Sequence, residues 1–369
     1  MKRAYFFSLL FIFLHNQNCI AQQGDSASRS AFKDRFTFSG YLDAYYAYYS
    51  DSSGIGGFQK FTSISPRKNQ FGLNTAQVAV EYNSDKVRGN ITLHFGDIAK
   101  GSWSAAYNDI MEAHAGFRLC KTLWLDAGLF RTHFGTEGLL PKENFLSSVS
   151  VNTFYEPYYE AGARLNYVPN GHWAVNLYAI NGYNIFEDNN KHKSLGMLVT
   201  YTEGEKWNAG YSNYLGDDAP DSALKSHLRV NQNLFFNAAI KKLKIQLGID
   251  YCLQKNSAIL HPDKGSSMLS GVLGFKYQLS EMFALATRGE FFYDPQGFMS
   301  TVILDKQNKL TGYKLWGFTL GAEYKPTKNT YIRIEGRQLQ MNRNQEIFYQ
   351  NEKLSSQRFE LSGNVGVSF

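Results

Sequence analysis

The sequence predicts an all-β fold: a transmembrane antiparallel up-and-down β-barrel of about sixteen strands, with short periplasmic turns and long extracellular loops. Three observations carry this expectation. The final stretch, residues 356–369, alternates strictly. Phe359, Leu361, Gly363, Val365, Val367 and Phe369 take one parity, and Arg358, Glu360, Ser362, Asn364, Gly366 and Ser368 take the other. A period of two is a strand with one apolar and one polar face, and it lacks the three-and-four spacing of a helix. Second, the connections alternate long and short along the whole chain. Third, the composition is rich in aromatics (15%) and poor in proline (8 of 369 residues), and no apolar run after the first twenty residues reaches the roughly 18 needed for a spanning helix.

The amino terminus reads as a targeting segment. Lys2 and Arg3 precede an apolar core over residues 4–14, and Cys19-Ile20-Ala21 offers a small-residue cleavage site, so residues 1–21 are expected to be a signal peptide. Residues 22–34 are polar and serine-bearing, a short exported leader. The barrel is expected over residues 35–369, in the outer membrane of a Gram-negative cell. Removing Lys2 and Arg3 takes the formal charge from +6 to +4. No element carries a Lys/Arg cluster, so nucleic acid is not an expected partner. Of the 3 cysteines, Cys19 leaves with the signal, while Cys120 and Cys252 fall on different strands and read as free thiols. There is no CxxC and no metal-ligand spacing, so neither metal nor cofactor is expected.

The strands follow in order. The first, residues 35–49, puts Phe36, Phe38, Leu42, Ala44, Tyr46 and Tyr48 on one face and Ser39, Tyr41, Asp43 and Tyr45 on the other. A Gly/Ser-rich loop leads to the second, 69–82, with Ala76, Val78, Val80 and Tyr82 outward, and a brief turn to the third, 87–96. The fourth, 110–119, sets Met111, Ala113, Ala115, Phe117 and Leu119 against Glu112, His114 and Arg118. A tight turn, 120–122, opens the fifth, 123–134, with Leu123, Leu125, Ala127 and Leu129 on one face. After a long connection, 135–156, the sixth, 157–168, has Tyr159, Ala161, Ala163, Leu165 and Tyr167 outward. Pro169-Asn170-Gly171 turns into the seventh, 173–181. The eighth (195–201) and ninth (207–215) share a short turn, as do the tenth (227–240) and eleventh (243–253), the twelfth (268–279) and thirteenth (283–293), and the fourteenth (313–325) and fifteenth (331–339). Phe359, Leu361, Val365, Val367 and Phe369 mark the sixteenth as the barrel-closing strand.

The two faces differ in chemistry. The outward parity is aliphatic and aromatic over about ten residues per strand, enough to cross the hydrocarbon at a tilt. Tyr48, Tyr82, Tyr167, Tyr201 and Phe369 fall near strand ends, where aromatic girdles sit. The inward parity is charged, with Glu112, His114, Arg118, Glu160, Arg164, Arg288, Glu290, Arg333, Glu335 and Arg337 as candidate pore-lining residues. Such charges either face a hydrated channel or pair into networks that stiffen the wall. In the third long connection, Glu137, Lys142 and Glu143 are constriction candidates if the loop folds inward; otherwise it is an external loop.

Several blocks, in order, resemble one family of outer-membrane proteins. They are residues 71–78 (FGLNTAQV), 126–137 (DAGLFRTHFGTE), 156–162 (EPYYEAG), 181–183 (NGY) with 188–191 (DNNK), and 288–294 (RGEFFYD). Together they resemble the β-barrel porin-2 (OmpL-like) porins over most of the mature chain. Residues 147–150 (SSVS) depart from the Arg-containing segment frequent there. The resemblance implies a channel and names no solute. The expected function is passive diffusion of small hydrophilic solutes or ions, without enzymatic activity. Two alternatives stay open: a non-conducting barrel acting as adhesin or scaffold, and an outer-membrane hydrolase built on His94, His114 or His133 with Asp97 or Asp126. The expected partners are outer-membrane lipid, the barrel-assembly machinery through the strand ending at Phe369, and small solutes or ions. A homotrimer is an open expectation, because the sequence shows no interface.

Overall fold

The computed structural model describes residues 35–52, 54, 57–188 and 190–369. The signal peptide (1–21) and leader (22–34) expectations lie outside the described residues. Sixteen strands among the described residues close into one antiparallel barrel. They are β1 (Phe36–Tyr49), β2 (Phe71–Asn83), β3 (Val87–Phe95), β4 (Ile110–Cys120), β5 (Leu123–Arg131), β6 (Tyr159–Tyr167), β7 (Trp173–Ile180), β8 (Ser194–Glu203), β9 (Trp207–Asp217), β10 (Leu228–Ile240), β11 (Leu243–Gln254), β12 (Ser266–Gln278), β13 (Phe283–Tyr293), β16 (Lys314–Tyr324), β17 (Thr330–Met341) and β20 (Gln357–Ser368). Two small hairpins, β14 (Ile303–Leu304) with β15 (Leu310–Thr311) and β18 (Phe348–Gln350) with β19 (Lys353–Ser355), stand on long connections. Two short helices, α1 (Asp97–Ser102) and α2 (Val151–Tyr155), occupy two others.

Closure is made by β20 pairing with β1, from Tyr41 opposite Ser368 to Tyr49 opposite Glu360. The seam continues through Gly40 N to Phe369 O at 2.7 Å and Phe369 N to Gly40 O at 3.1 Å. Glycine is needed at position 40, since a Cβ there would strike the Phe369 ring. A closed sheet leaves no edge strand to template pairing with another chain.

Register turns the sequence alternation into two surfaces. Leu195, Leu215, Val230 and Leu253 stand side by side across four strands of the outer wall. Most of the outer face is apolar and exposed, as at Phe38, Val78, Ile91, Phe117, Leu234 and Ile334. Tyr167, Trp173, Trp207 and Phe283 gather at the end with the short turns, and Tyr48, Phe71, Tyr293 and Trp316 at the end with the long loops. The row below Leu195 differs: Met197, Asn213, Gln232 and Tyr251 place two amides on the outer face between apolar rows.

Two expectations about facing need correction. A register shift at Thr92/Leu93 opens a bulge at Met111. Met111 is therefore buried inside, against Gln77, rather than outward with Ala113. Tyr159 and Ala161 are also buried and not outward. The reason is a bend at the paired glycines Gly128 and Gly162, beyond which both faces of the β5–β6 ribbon are covered: Phe130 and Glu160 on one, Tyr159 and Ala161 on the other. Gly128 has φ +138°, and a Cβ on it would strike the Ala113 carbonyl; one on Gly162 would strike that of Ala179.

Two apolar clusters lie inside the cylinder, the first reaching from the loops down to Tyr41 and Tyr331 in the half nearer the short turns, the second at the loop end. One cluster joins wall residues Tyr41, Met111 and Tyr331 to Ile64, Trp103 and Leu140 from the loops. A second joins Phe292, Leu315 and Leu339 to Phe61, Val151 and Phe348.

Candidate functional site: the barrel interior

The segment 135–156, which joins β5 to β6, lies inside the barrel. Its backbone N–H groups need acceptors there, because a buried unpaired donor is costly. The wall supplies carboxylates. Glu335 accepts from Ser147 N, from Ser148 N at 3.1 Å and from Ser148 Oγ at 2.8 Å. Glu290 accepts from Val151 N at 2.7 Å. The loop carbonyls meet arginines: Arg333 donates to Pro141 O at 2.7 Å and to Asn144 O at 3.1 Å, and Arg288 to Ser148 O at 2.5 Å. On β10, Asn233 donates to Thr136 Oγ1 at 2.9 Å, and Thr136 fills the space left by Gly248 on β11.

Most of these wall charges are paired with a neighbouring charge, which offsets the cost of burying them, while Glu335 is satisfied by the loop's N–H and hydroxyl donors. Arg337 reaches Glu290 at 2.8 Å and Glu360 at 3.5 Å; Arg358 reaches the other oxygen of Glu360 at 2.5 Å. Arg333 is held by Glu323 at 2.8 Å, which also binds Lys276 at 2.6 Å. Arg288 bonds Glu137 of the loop at 3.0 Å. Five candidates from the inward parity, Arg288, Glu290, Arg333, Glu335 and Arg337, are thus on the inner face but buried. Arg288, Glu290, Arg333 and Glu335 bond the backbone of the inserted loop instead of facing free lumen, and Arg337 holds Glu290 in place.

The other candidates are placed differently. Glu112 is half-buried and accepts from Arg131 N at 3.2 Å. His114 is half-buried against the Phe130 ring, with centroids 4.8 Å apart. Arg118 is exposed at the turn end, over the Trp124 ring at 5.0 Å. Arg164 binds Asp126 at 3.0 Å, and Asp126 also takes Arg88 at 2.6 Å. Glu160 is buried on His133 Nδ1 at 2.6 Å, while His133 Nε2 meets Asn213 O at 2.7 Å. Of the loop candidates, Glu137 is buried, whereas Glu143 pairs with Arg131 at 2.5 Å and Lys142 lies over the Tyr41 ring at 4.5 Å. Lys142 and Glu143 border a cavity of about 170 Å³ on the turn side of the loop, opposite Ser39, Glu81, Asn90 and Glu112.

The histidines and aspartates considered for hydrolysis are not brought together. His94 packs edge-on to Trp103, His114 on Phe130, and His133 bonds a glutamate. Asp97 serves Arg67 and Tyr45, and Asp126 serves the two arginines.

Burial tunes the loop's own ionisable groups. Burial, with the nearby charges of Asp250 and Glu137, holds the Glu156 carboxyl well above its ordinary value. One amide, Asn152 Nδ2, donates to Glu156 at 2.6 Å and to Asp250 at 2.7 Å. Burial would lower the His133 imidazole, but the Glu160 carboxylate outweighs it and the pKa is raised. Burial lowers the Lys142 ammonium.

The family model described as "Putative beta-barrel porin-2, OmpL-like" matches residues 35–369. The chain belongs to that family. Its outer-membrane location follows from this membership. Similar folds are found in the outer-membrane channel DcaP of Acinetobacter baumannii, at TM-score 0.62 and 10% identity over 90% of this chain and 97% of that one. Pseudomonas putida OprB gives TM-score 0.60 at 10% identity over 93% and 96% of the two chains. OmpF of Salmonella typhi, in complex with daunomycin, gives 0.53 at 12% over 90% and 97%. No curated protein matches in sequence.

Within this porin-2 barrel, sequence reasoning missed Arg88, Arg131, Glu323, Arg358 and Glu360 as members of the interior network. Four were detectable in principle: Arg88, Arg358, Glu360 and Glu323 occupy the inward parity of their strands. Arg131 was hidden by the bend after Gly128.

Proposed function

We propose that this barrel is a passive outer-membrane channel for small hydrophilic solutes or ions, with residues 135–156 as its constriction. The observation that carries the reading is the inserted loop: its backbone is bonded to charges of the inner wall on one side, and its other side borders a polar cavity. Lys142 and Glu143 then face the passing solute, and Glu112, His114, Arg118 and Arg164 line the lumen below. The mixed signs set a transverse field across the path. Export by a signal peptide over residues 1–21, and insertion by the barrel-assembly machinery through the strand ending at Phe369, belong to the same reading. The test is planar-bilayer recording of the refolded protein, alone and as Arg288→Ala/Glu335→Ala. The double variant frees loop carbonyls and N–H groups and is expected to raise single-channel conductance at least about twofold, since conductance follows the open cross-section. Zero conductance in both proteins would overturn the reading.

A non-conducting barrel that displays its loops is the second reading. The second apolar cluster, which roofs the loop end, favours it. Homo-oligomerisation is a further part of the proposal. Its support is the amide pair Asn213–Gln232 on the outer wall, where lipid offers no hydrogen bonds.

A further inference from the structure

The lumen has two unlike walls. From β11 round to β1 the inner face is charged and mostly covered by the inserted loop. On β7 to β10, in the half nearer the short turns, no inward position among the described residues carries a charge. Amides and hydroxyls stand there instead, half-exposed to the free lumen. Asn166 on β6 accepts from Arg88 at 3.3 Å and donates to Asn176 on β7 at 2.8 Å. Asn237 on β10 donates to Asn208 on β9 at 3.0 Å, and Thr200 lies between the two pairs on β8. A primary amide has two donor hydrogens and an acceptor with two lone pairs, so each pair keeps donors and acceptors to offer.

Two large apolar side chains also face inward on these strands, Leu198 on β8, which packs on Tyr178 and Tyr214, and Phe235 on β10. The strand parity of Phe235 puts it inward, directly opposite Gly210 and Gly248. The ring lies over Gly210, where a Cβ would strike it. It is half-exposed, and it belongs to neither of the two apolar clusters that join the wall to the loops. Two residues along β10, Asn233 holds Thr136 at the start of the inserted loop. The aromatic face is therefore displayed at the edge of the constriction, laid flat by a glycine. A water-facing aromatic ring that serves no core is a stacking platform, with a partly negative face that attracts C–H groups bearing partial positive charge.

We infer that this wall, with Phe235 at its β10 edge beside the Asn208–Asn237 pair and the Asn166–Asn176 pair on the far side of β8, is a binding surface for neutral polyhydroxylated solutes of the mono- or disaccharide class. Such a solute offers vicinal hydroxyls that both donate and accept, which matches amides, and an apolar C–H face, which matches the ring. An ion would find no counter-charge beside Phe235, since Arg88 and Arg164 border only the Asn166 end of the surface, and an apolar solute would strand the amides. The inference rests on the channel reading for transport, and the surface itself can be tested without it.

The experiment records the refolded protein in potassium chloride and adds maltose, with polyethylene glycol of matched hydrodynamic size as the control. Maltose is expected to block the current saturably, and polyethylene glycol only in proportion to its size. Phe235→Ala is expected to weaken the maltose block about threefold to tenfold, the range for one aromatic contact, when the block is expressed as a fraction of each protein's own sugar-free current. Phe235→Tyr keeps the platform and restores the block. Calorimetric titration of the detergent-solubilised protein with maltose reads the same surface without any current. Equal behaviour of maltose and polyethylene glycol, or a block indifferent to Phe235→Ala, overturns the inference. A protein that binds maltose by calorimetry but carries no current overturns the channel reading alone; one that does neither overturns both.

Discussion

Glu156 shows how a single side chain ties the inserted loop to solution conditions. Its carboxyl is buried beside Asp250 and Glu137, and its pKa is raised well above the ordinary value. An unfolded glutamate titrates near about 4.3. Between that value and the folded one, the folded chain binds more protons than the unfolded chain, so stability falls as pH rises. Glu156→Gln removes this slope while keeping an amide that can meet Asn152. The temperature at which the compact band is lost on unheated-versus-heated gels is expected to drop from pH 5 to pH 8 in the natural protein. The drop should be smaller in the variant; equal drops would remove Glu156 as the cause. None of this was legible in the sequence. Glu156 opened a recognisable Glu-Pro block, but its carboxylate neighbours come from β11 and from the other end of the same loop, which strand parity cannot bring together.

At the scale of elements, the paired glycines of β5 and β6 decide the lumen's shape. Most strands and their facing followed from alternation alone, because period two has only one solution once a face is apolar. The alternation failed above Gly128 and at Met111. In both places a backbone irregularity reassigns the faces, and composition carries no mark of it beyond a glycine or a methionine. Gly128 sits at φ +138° with its α-carbon against the Ala113 carbonyl. Gly128→Ala is expected to cost about 1–3 kcal/mol of folding stability, the range for a side chain forced into such a conformation. Urea titration of the refolded protein followed by tryptophan fluorescence measures it. A loss below about 0.5 kcal/mol, ordinary for a neutral surface change, would mean the ribbon does not depend on this bend.

For the whole molecule, the distribution of polar groups matters more than their number. Sequence reasoning correctly divided the chain into an apolar exterior and a charged interior, but it treated the interior as one surface. Folding separates it into a wall that grips the inserted loop and a wall that stays bare, a distinction set by which strands the loop happens to reach. On the exterior, the Asn213–Gln232 pair interrupts rows of Leu, Val and Phe, with Tyr211 as a neighbour bonded to Gln232 at 3.3 Å. Asn213→Leu/Gln232→Leu is expected to convert cross-linkable oligomers in lipid vesicles to monomers, with the barrel itself unharmed. Unchanged cross-linking would assign those amides to lipid headgroups or to each other.

Among the described residues two thiols are free, Cys120 exposed at the end of β4 and Cys252 buried within the second apolar cluster. The chain therefore carries its own pair of chemical reporters. A membrane-impermeant maleimide should label Cys120 only from the compartment that the tight turns face, which fixes the sidedness of insertion. Cys252 should stay silent until the aromatic roof parts, so its labelling rate under applied voltage or altered pH counts how often that happens.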